Sequence, residues 1–307
     1  MATVDGGGPP TTPAQVLAAY ERVRDQLPRA VGERPLRPLP DLAPLTDAYD
    51  LFLFDAFGVL NLGERAIPDA SARLQALRAA GKTVLMVSNA ASVPLPRLVA
   101  KYQRLGMGFT AETLVSSREA LLAHWHAHAG ARMGVMAPDD GPLDDLPTPH
   151  HRLLDDPAAY DAAEGFVLLG SDHWTPHRQA LLCDSLRRHP RPVWVGNPDL
   201  VAPREDAFSL EPGWWAADLQ RATGVVPKAF GKPHAAIFQL ALAKAGYRGD
   251  PRRVLMVGDT LHTDVLGAQA MGFDAAWVVG QGASAGLDVM AAVRRTGIWP
   301  DYVLPHI

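Results

Sequence analysis

The feature that most constrains the fold is a set of short apolar runs, each ending on a polar, chemically capable residue. Leu51-Phe52-Leu53-Phe54 ends at Asp55, Thr83-Val84-Leu85-Met86-Val87 at Ser88-Asn89, and Arg253-Val254-Leu255-Met256-Val257 at Gly258-Asp259. A continuous apolar run of this length suits a strand covered on both faces, as in a parallel sheet. A helix is expected over residues 69–80, closed by Gly81, and a further run, Ala275-Ala276-Trp277-Val278-Val279, ends at Gly280. Strands alternating with helices imply an α/β protein with a doubly wound parallel sheet. Ligands in such sheets bind beyond the carboxyl ends of the strands. The runs therefore bring a carboxylate, a hydroxyl and a second carboxylate to one sheet edge.

A second set of runs occupies the middle of the chain: Met133-Gly134-Val135-Met136, Phe166-Val167-Leu168-Leu169 and Val193-Trp194-Val195. Acidic and proline-rich loops such as 139–149 separate them. They imply a smaller α/β domain over residues 120–203, inserted into a core made of 46–119 and 204–307. An extension, residues 1–45, precedes the core. Residues 1–11 are rich in Gly, Pro and Thr and are expected to lack fixed structure. Thr12-Pro13-Ala14-Gln15 reads as a helix start, with Thr12 as cap, Pro13 as first helical residue and Gln15 completing a capping box. That helix is expected to run to about Leu27, followed by a proline-studded connector over 28–44.

Composition removes several classes of function. The 307 residues are 48% apolar, enough for a sizeable core in one large domain or two ordinary ones. The net charge is −4 and no basic stripe stands out, which disfavours a nucleic-acid partner. No segment reaches the roughly 18 apolar residues of a membrane span, and no basic-then-apolar leader is visible. A soluble cytoplasmic protein is expected. The single cysteine, Cys183, cannot form an internal disulfide and reads as a small buried hydrophobe in the periodic stretch 179–186.

Other features are weaker. His124 and His128 fall on one face of an expected helix, with His126 between them, at a spacing that metal sites use; a solvated helix end is the favoured reading. Trp214-Trp215 is expected to pack helix against sheet or to lie at a subunit contact, and the acidic loop 139–145 to be solvated surface. A homo-oligomer is left open.

Asp55-Ala56-Phe57-Gly58-Val59-Leu60 resembles the first motif of the haloacid dehalogenase (HAD) superfamily, Ser88-Asn89 the second, Gly231-Lys232-Pro233 the third, and Gly258-Asp259-Thr260-Leu261-His262-Thr263-Asp264 the fourth. Each match alone is weak, because Asp readily caps a helix after a strand; four in order are specific. The stretch from Asn61 to Ala70, Gly170-Ser171-Asp172, Asn197-Pro198-Asp199-Leu200 and Gly231-Lys232-Pro233-His234 are similar to the NagD-type branch (class IIA), whose members carry a large α/β cap between the second and third motifs. The resemblance covers about residues 49–279 and implies a Rossmann-like core.

The resemblance also implies roles. Asp55 is the expected nucleophile, forming an aspartyl-phosphate that water cleaves. Ser88 and Lys232 complete the expected catalytic set, and Asn89 and Lys232 are expected to bind substrate. Asp55, the Phe57 carbonyl, Asp259 and Asp264 are expected to hold Mg²⁺, a hard cation that favours oxygen ligands. The expected reaction is hydrolysis of a small phosphorylated metabolite. One position departs from the pattern: phosphatases of the superfamily carry an acid two residues after the nucleophile, and here it is Phe57. General acid–base help is worth about 10²–10⁴ in rate. Two alternatives therefore stay open. One is a catalytically weak or inactive phospho-ligand-binding protein. The other is a dehalogenase- or phosphonatase-like hydrolase of carbon–halogen or carbon–phosphorus bonds, although the retained metal motif speaks against the carbon–halogen version. His173 and His177 are the cap histidines that could supply the missing proton.

Overall fold

The computed structural model describes residues 8–125, 130–147, 149–204 and 207–307. Its larger layer is a seven-stranded sheet in the order Arg37–Pro38, Tyr302–Leu304, Asp274–Val278, Val254–Gly258, Leu51–Phe54, Thr83–Ser88, Leu114–Ser116. Every pairing in it is parallel. The apolar runs are continuous because both faces are covered. Leu51, Leu53, Leu85, Val87, Val254 and Met256 enter one core cluster, while Phe52, Phe54, Val84, Met86, Leu255 and Val257 enter the other. Alternate residues of a strand point to opposite faces, so each strand feeds both clusters. The helix expected after the first strand forms over Ala70–Ala79, and Gly81 beyond it takes a left-handed φ of 75°.

The smaller layer is a five-stranded parallel sheet in the order Lys228–Ala229, Val193–Val195, Gly165–Leu168, Met133–Met136, His150–Arg152. The strand Lys228–Ala229 pairs with Val193–Val195, and helix Pro212–Thr223 packs its buried Trp214 and Trp215 into the same apolar cluster as Val193 and Val195. The cap therefore runs to residue 229, and the boundary expected at 203 falls too early. The strand at 228–229 is only two residues long, too short to show a period in sequence. Trp214-Trp215 thus has the helix-to-sheet role, and Cys183 is buried, with its thiol pushed up to about 11 by burial first.

The N-terminal extension differs most from expectation. Its helix covers Pro13–Arg22 rather than reaching Leu27, because a short 3₁₀ turn, Arg24–Gln26, replaces the last stretch. Thr12 caps it as expected, accepting from Gln15 N–H at 3.3 Å, but Gln15 Oε1 reaches the Thr11 N–H at 2.8 Å instead of that of Thr12. The connector supplies Arg37–Pro38 as an edge strand of the large sheet. Of the segment expected to lack structure, residues 1–7 lie outside the described residues. Among the described residues no helix is long and apolar enough to cross a membrane.

The acidic loop is less free than expected. Asp145 bonds the buried guanidinium of Arg118, which also donates to the Ala91 carbonyl at 2.9 Å. Asp139, with Asp155, pairs with Arg178. Arg118 and Arg178 thus tie the loop down, a long-range demand that local composition cannot reveal.

Candidate active site

The register of the large sheet aligns the ends of its central strands. Phe54 pairs with both Val257 and Met86, so the residues after these strands leave from one edge. Asp55 and Asp259 follow two of them, and Asp264 comes from a single turn of π-helix, Leu261–Val265, just beyond. One side-chain oxygen from each of the three acids can be chosen so that all lie within 4.8 Å of one another. Such wide helical turns concentrate at functional sites.

Lys232 enters this cluster from the third motif. Its Nζ donates to Asp55 Oδ1 at 2.5 Å and Asp264 Oδ1 at 2.7 Å, and the residue is 1% exposed. Burial would lower the ammonium, but Asp264, Asp55 and Asp199 overcome it and raise the group above its ordinary value. Asp259 and Asp264 are themselves raised by burial and then by repulsion from Asp55. One ammonium does not neutralise three clustered carboxylates. A divalent cation would, and an all-oxygen donor set fits Mg²⁺. The residues present therefore fit such an ion.

The backbone makes room for these acids. Gly58 and Gly282 have φ of 78° and 71°, and a Cβ on either would stand 2.1 or 2.0 Å from Asp259 Oδ2. Only glycine fits at both places. Asp259 is held by Thr260 Oγ1 at 2.9 Å and by the Ala283 N–H at 2.6 Å. Asp264 accepts from the Thr260 N–H at 3.1 Å.

Ser88 is buried and lines a cavity of about 320 Å³ together with Asp55, Phe57, Asn89 and Asp259. Asn89 is turned toward the third motif: its Oδ1 accepts from the Lys232 N–H at 2.7 Å, and its Nδ2 donates to the Lys232 carbonyl at 3.0 Å. It fixes the lysine loop as well as lining the cavity. Phe57 is half-buried, with Lys101 Nζ 4.8 Å and the Arg204 guanidinium carbon 5.8 Å from its ring centre.

Three contributors were given no role in the sequence reading. Asp199, on the cap loop, accepts from Asn89 Nδ2 at 2.8 Å and is pushed up to about 8 by burial, with Lys232 opposing and Asp55 reinforcing. Lys101 lies on the helix Leu95–Arg104 and lines the cavity. Tyr20, from the N-terminal helix, lines the cavity and stacks on His262 at 5.0 Å. The Asn197-Pro198-Asp199 motif could have flagged Asp199; nothing local could have flagged Tyr20.

The other expected residues fall elsewhere. His173 and His177 do not line this cavity. His124 lies just past the helix Ser117–Ala123, with Nδ1 2.8 Å from the Ala120 carbonyl and its ring 5.2 Å from Phe230. His126 and His128 lie outside the described residues.

The chain is similar to known proteins. The haloacid dehalogenase-like hydrolase family matches residues 52–143, and a second HAD-hydrolase-like family matches residues 229–307. The chain is 35% identical to human chronophin over 232 residues, covering 70% of this chain and 75% of that one. A haloacid dehalogenase-like hydrolase from Brucella suis superposes with a TM-score of 0.71 at 28% identity, over 89% of this chain and all of its own, a 100% share. A glycerol phosphate phosphatase from Mycobacterium tuberculosis, solved in complex with magnesium, superposes with a TM-score of 0.64 at 24% identity, over 84% and 75% of the two chains. The chain belongs to the haloacid dehalogenase-like hydrolases, in the NagD-type branch with an α/β cap, and is an enzyme of the phosphatase type.

Proposed function

We propose that this protein hydrolyses a small phosphorylated metabolite with Mg²⁺, through an aspartyl-phosphate on Asp55. The observation that carries the reading is the cluster of Asp55, Asp259 and Asp264, with the buried Lys232 ammonium bonded to Asp55 and Asp264, beside a cavity of about 320 Å³ that Asp55 and Asp259 line. Asp55 attacks phosphorus in line; its carboxylate becomes the acyl phosphate and the alkoxide leaves. Lys232 pairs with Asp55 and offsets charge on the phosphoryl oxygens. Ser88 donates its hydroxyl to one of those oxygens. Asp55, the Phe57 carbonyl, Asp259 and Asp264 hold Mg²⁺, which when bound draws charge from the transferring group. The magnesium complex of the Mycobacterium tuberculosis phosphatase supports that choice of ion.

Phe57 stands where superfamily phosphatases place their general acid. The reading with little or no turnover rests on that substitution alone, whereas the intact nucleophile, lysine and metal acids favour catalysis. A screen with p-nitrophenyl phosphate, acetyl phosphate and alkyl phosphates, with Mg²⁺ and with chelator, tests the proposal. Mg²⁺-dependent phosphate release that disappears in Asp55→Asn is expected. Release that survives in chelator, or in the folded Asp55→Asn protein, refutes it.

A further inference from the structure

The helix Leu95–Arg104 begins just after the Ser88 turn and presents Arg97, Lys101 and Arg104 to the cavity. Their spacing of four and three residues puts them on one face. A fourth cation, Arg204, reaches the same cavity from the cap, next to the hairpin of Val201–Pro203 and Phe208–Leu210. Lys101 and Arg204 both approach the ring of Phe57, at 4.8 and 5.8 Å. These cations therefore crowd the side of the site where, on the proposed mechanism, the leaving group departs.

The acids near them do not neutralise the set. Lys101 pairs with Glu64 at 2.7 Å, but the Glu64 side chain is 74% exposed, and ion pairs of that kind contribute little. Arg204 bonds Glu211 and Ser209. Arg97 and Arg104 have no anionic partner among the described residues; of the carboxylates that line the cavity, Asp199 and Asp259 are held by neutral donors, and Asp172 makes no ion pair among the described residues. Phe57 matters here through what it lacks. A carboxylate at its position would repel an anionic leaving group, whereas a ring is neutral and attracts the two cations over its face.

Resting on the phosphatase reading above, we infer that the preferred substrate is a phosphate ester whose leaving group carries its own negative charge, a carboxylate or a second phosphate. Arg97 and Arg104 hold that charge, with Lys101 and Arg204 beside it over Phe57. Guanidinium groups suit both anions because they donate in a planar fork.

The test measures binding separately from turnover. Calorimetry on Asp55→Asn protein with Mg²⁺ compares 3-phosphoglycerate with glycerol 3-phosphate, which differ in a carboxylate against a neutral carbinol. At least tenfold tighter binding of 3-phosphoglycerate is expected, shrinking as salt rises. In Arg97→Gln/Arg104→Gln built on Asp55→Asn, the ratio should fall below about threefold. Both positions are exposed, so the fold should tolerate the change. A ratio near one in Asp55→Asn, an undiminished ratio in the triple variant, or no binding of either ester overturns the inference. Turnover of p-nitrophenyl phosphate by the unmodified enzyme reports on the phosphatase reading alone.

Discussion

Glu21 Oε1 lies 2.6 Å from His262 Nε2, tying the N-terminal helix to the turn that carries Asp264 across 241 residues of chain. Tyr20, next along that helix, stacks on the same imidazole at an interplanar angle of 9° and accepts the Leu200 N–H of the cap at 3.2 Å. One helix thus bridges core and cap beside the clustered carboxylates. Tyr20→Ala should cost about 3 kcal/mol of stability through the lost ring, and Tyr20→Phe about 1 kcal/mol through one hydrogen bond. Urea unfolding of the two variants checks the order. Equal stability of Tyr20→Ala and wild type would mean that the helix is not docked in solution.

Asp55→Asn should abolish turnover, by at least about 10³-fold, because an amide is a poor nucleophile. Its melting temperature should match or exceed that of wild type, since one of three mutually repelling carboxylates is gone. Assay and thermal melt on the same preparation separate lost chemistry from lost fold.

Asp259 and Asp264 are buried acids brought together at a cost that a bound cation would offset. Asp259→Ala should therefore weaken Mg²⁺ binding by about tenfold or more. Titration calorimetry giving equal affinity in variant and wild type would remove Asp259 from the metal site.

With Phe57 in place of an acid, the alkoxide must leave with little protonation. Aryl and acyl phosphates should outpace alkyl phosphates steeply. Phe57→Asp should raise alkyl ester turnover by about tenfold, because its protonated carboxyl can hand a proton to the departing oxygen. A rate independent of leaving-group pKa, with chemistry rate-limiting, would show that another residue supplies the proton.

The cap should carry an acid-sensitive tie. Hydrogen bonds from Arg178 hold the Asp139 and Asp155 carboxyls below their usual range. A carboxyl whose folded pKa is depressed stabilises above its unfolded value and loses that contribution as pH falls through the folded one. The contribution is thus complete above about pH 4 and fades below it. In Arg178→Met, melting temperature should fall less steeply than in wild type as pH drops from 4 to 2.5, flagged by roughly parallel curves above pH 5. Identical slopes below pH 4 would discount the tie.

The core was legible in sequence because its strands are covered on both faces. Leu51–Phe54, Thr83–Ser88 and Val254–Gly258 had to be apolar throughout, and each had to end where solvent and chemistry begin. Asp55, Ser88 and Asp259 were marked by those endings, and Lys232 and Asp264 by motifs beside them. The cap's far boundary was hidden because a two-residue strand, Lys228–Ala229, shows no period. Tyr20, Lys101 and Arg204 stayed hidden for a different reason: a ring or cation on one element acquires a role only when another element is folded against it. Local sequence determines which residues can form a buried strand and which must stop it. Only tertiary packing decides that the helix at residues 13–22, the helix at 95–104 and the cap hairpin converge on one cavity, because those contacts are set by shape and burial across hundreds of residues of chain.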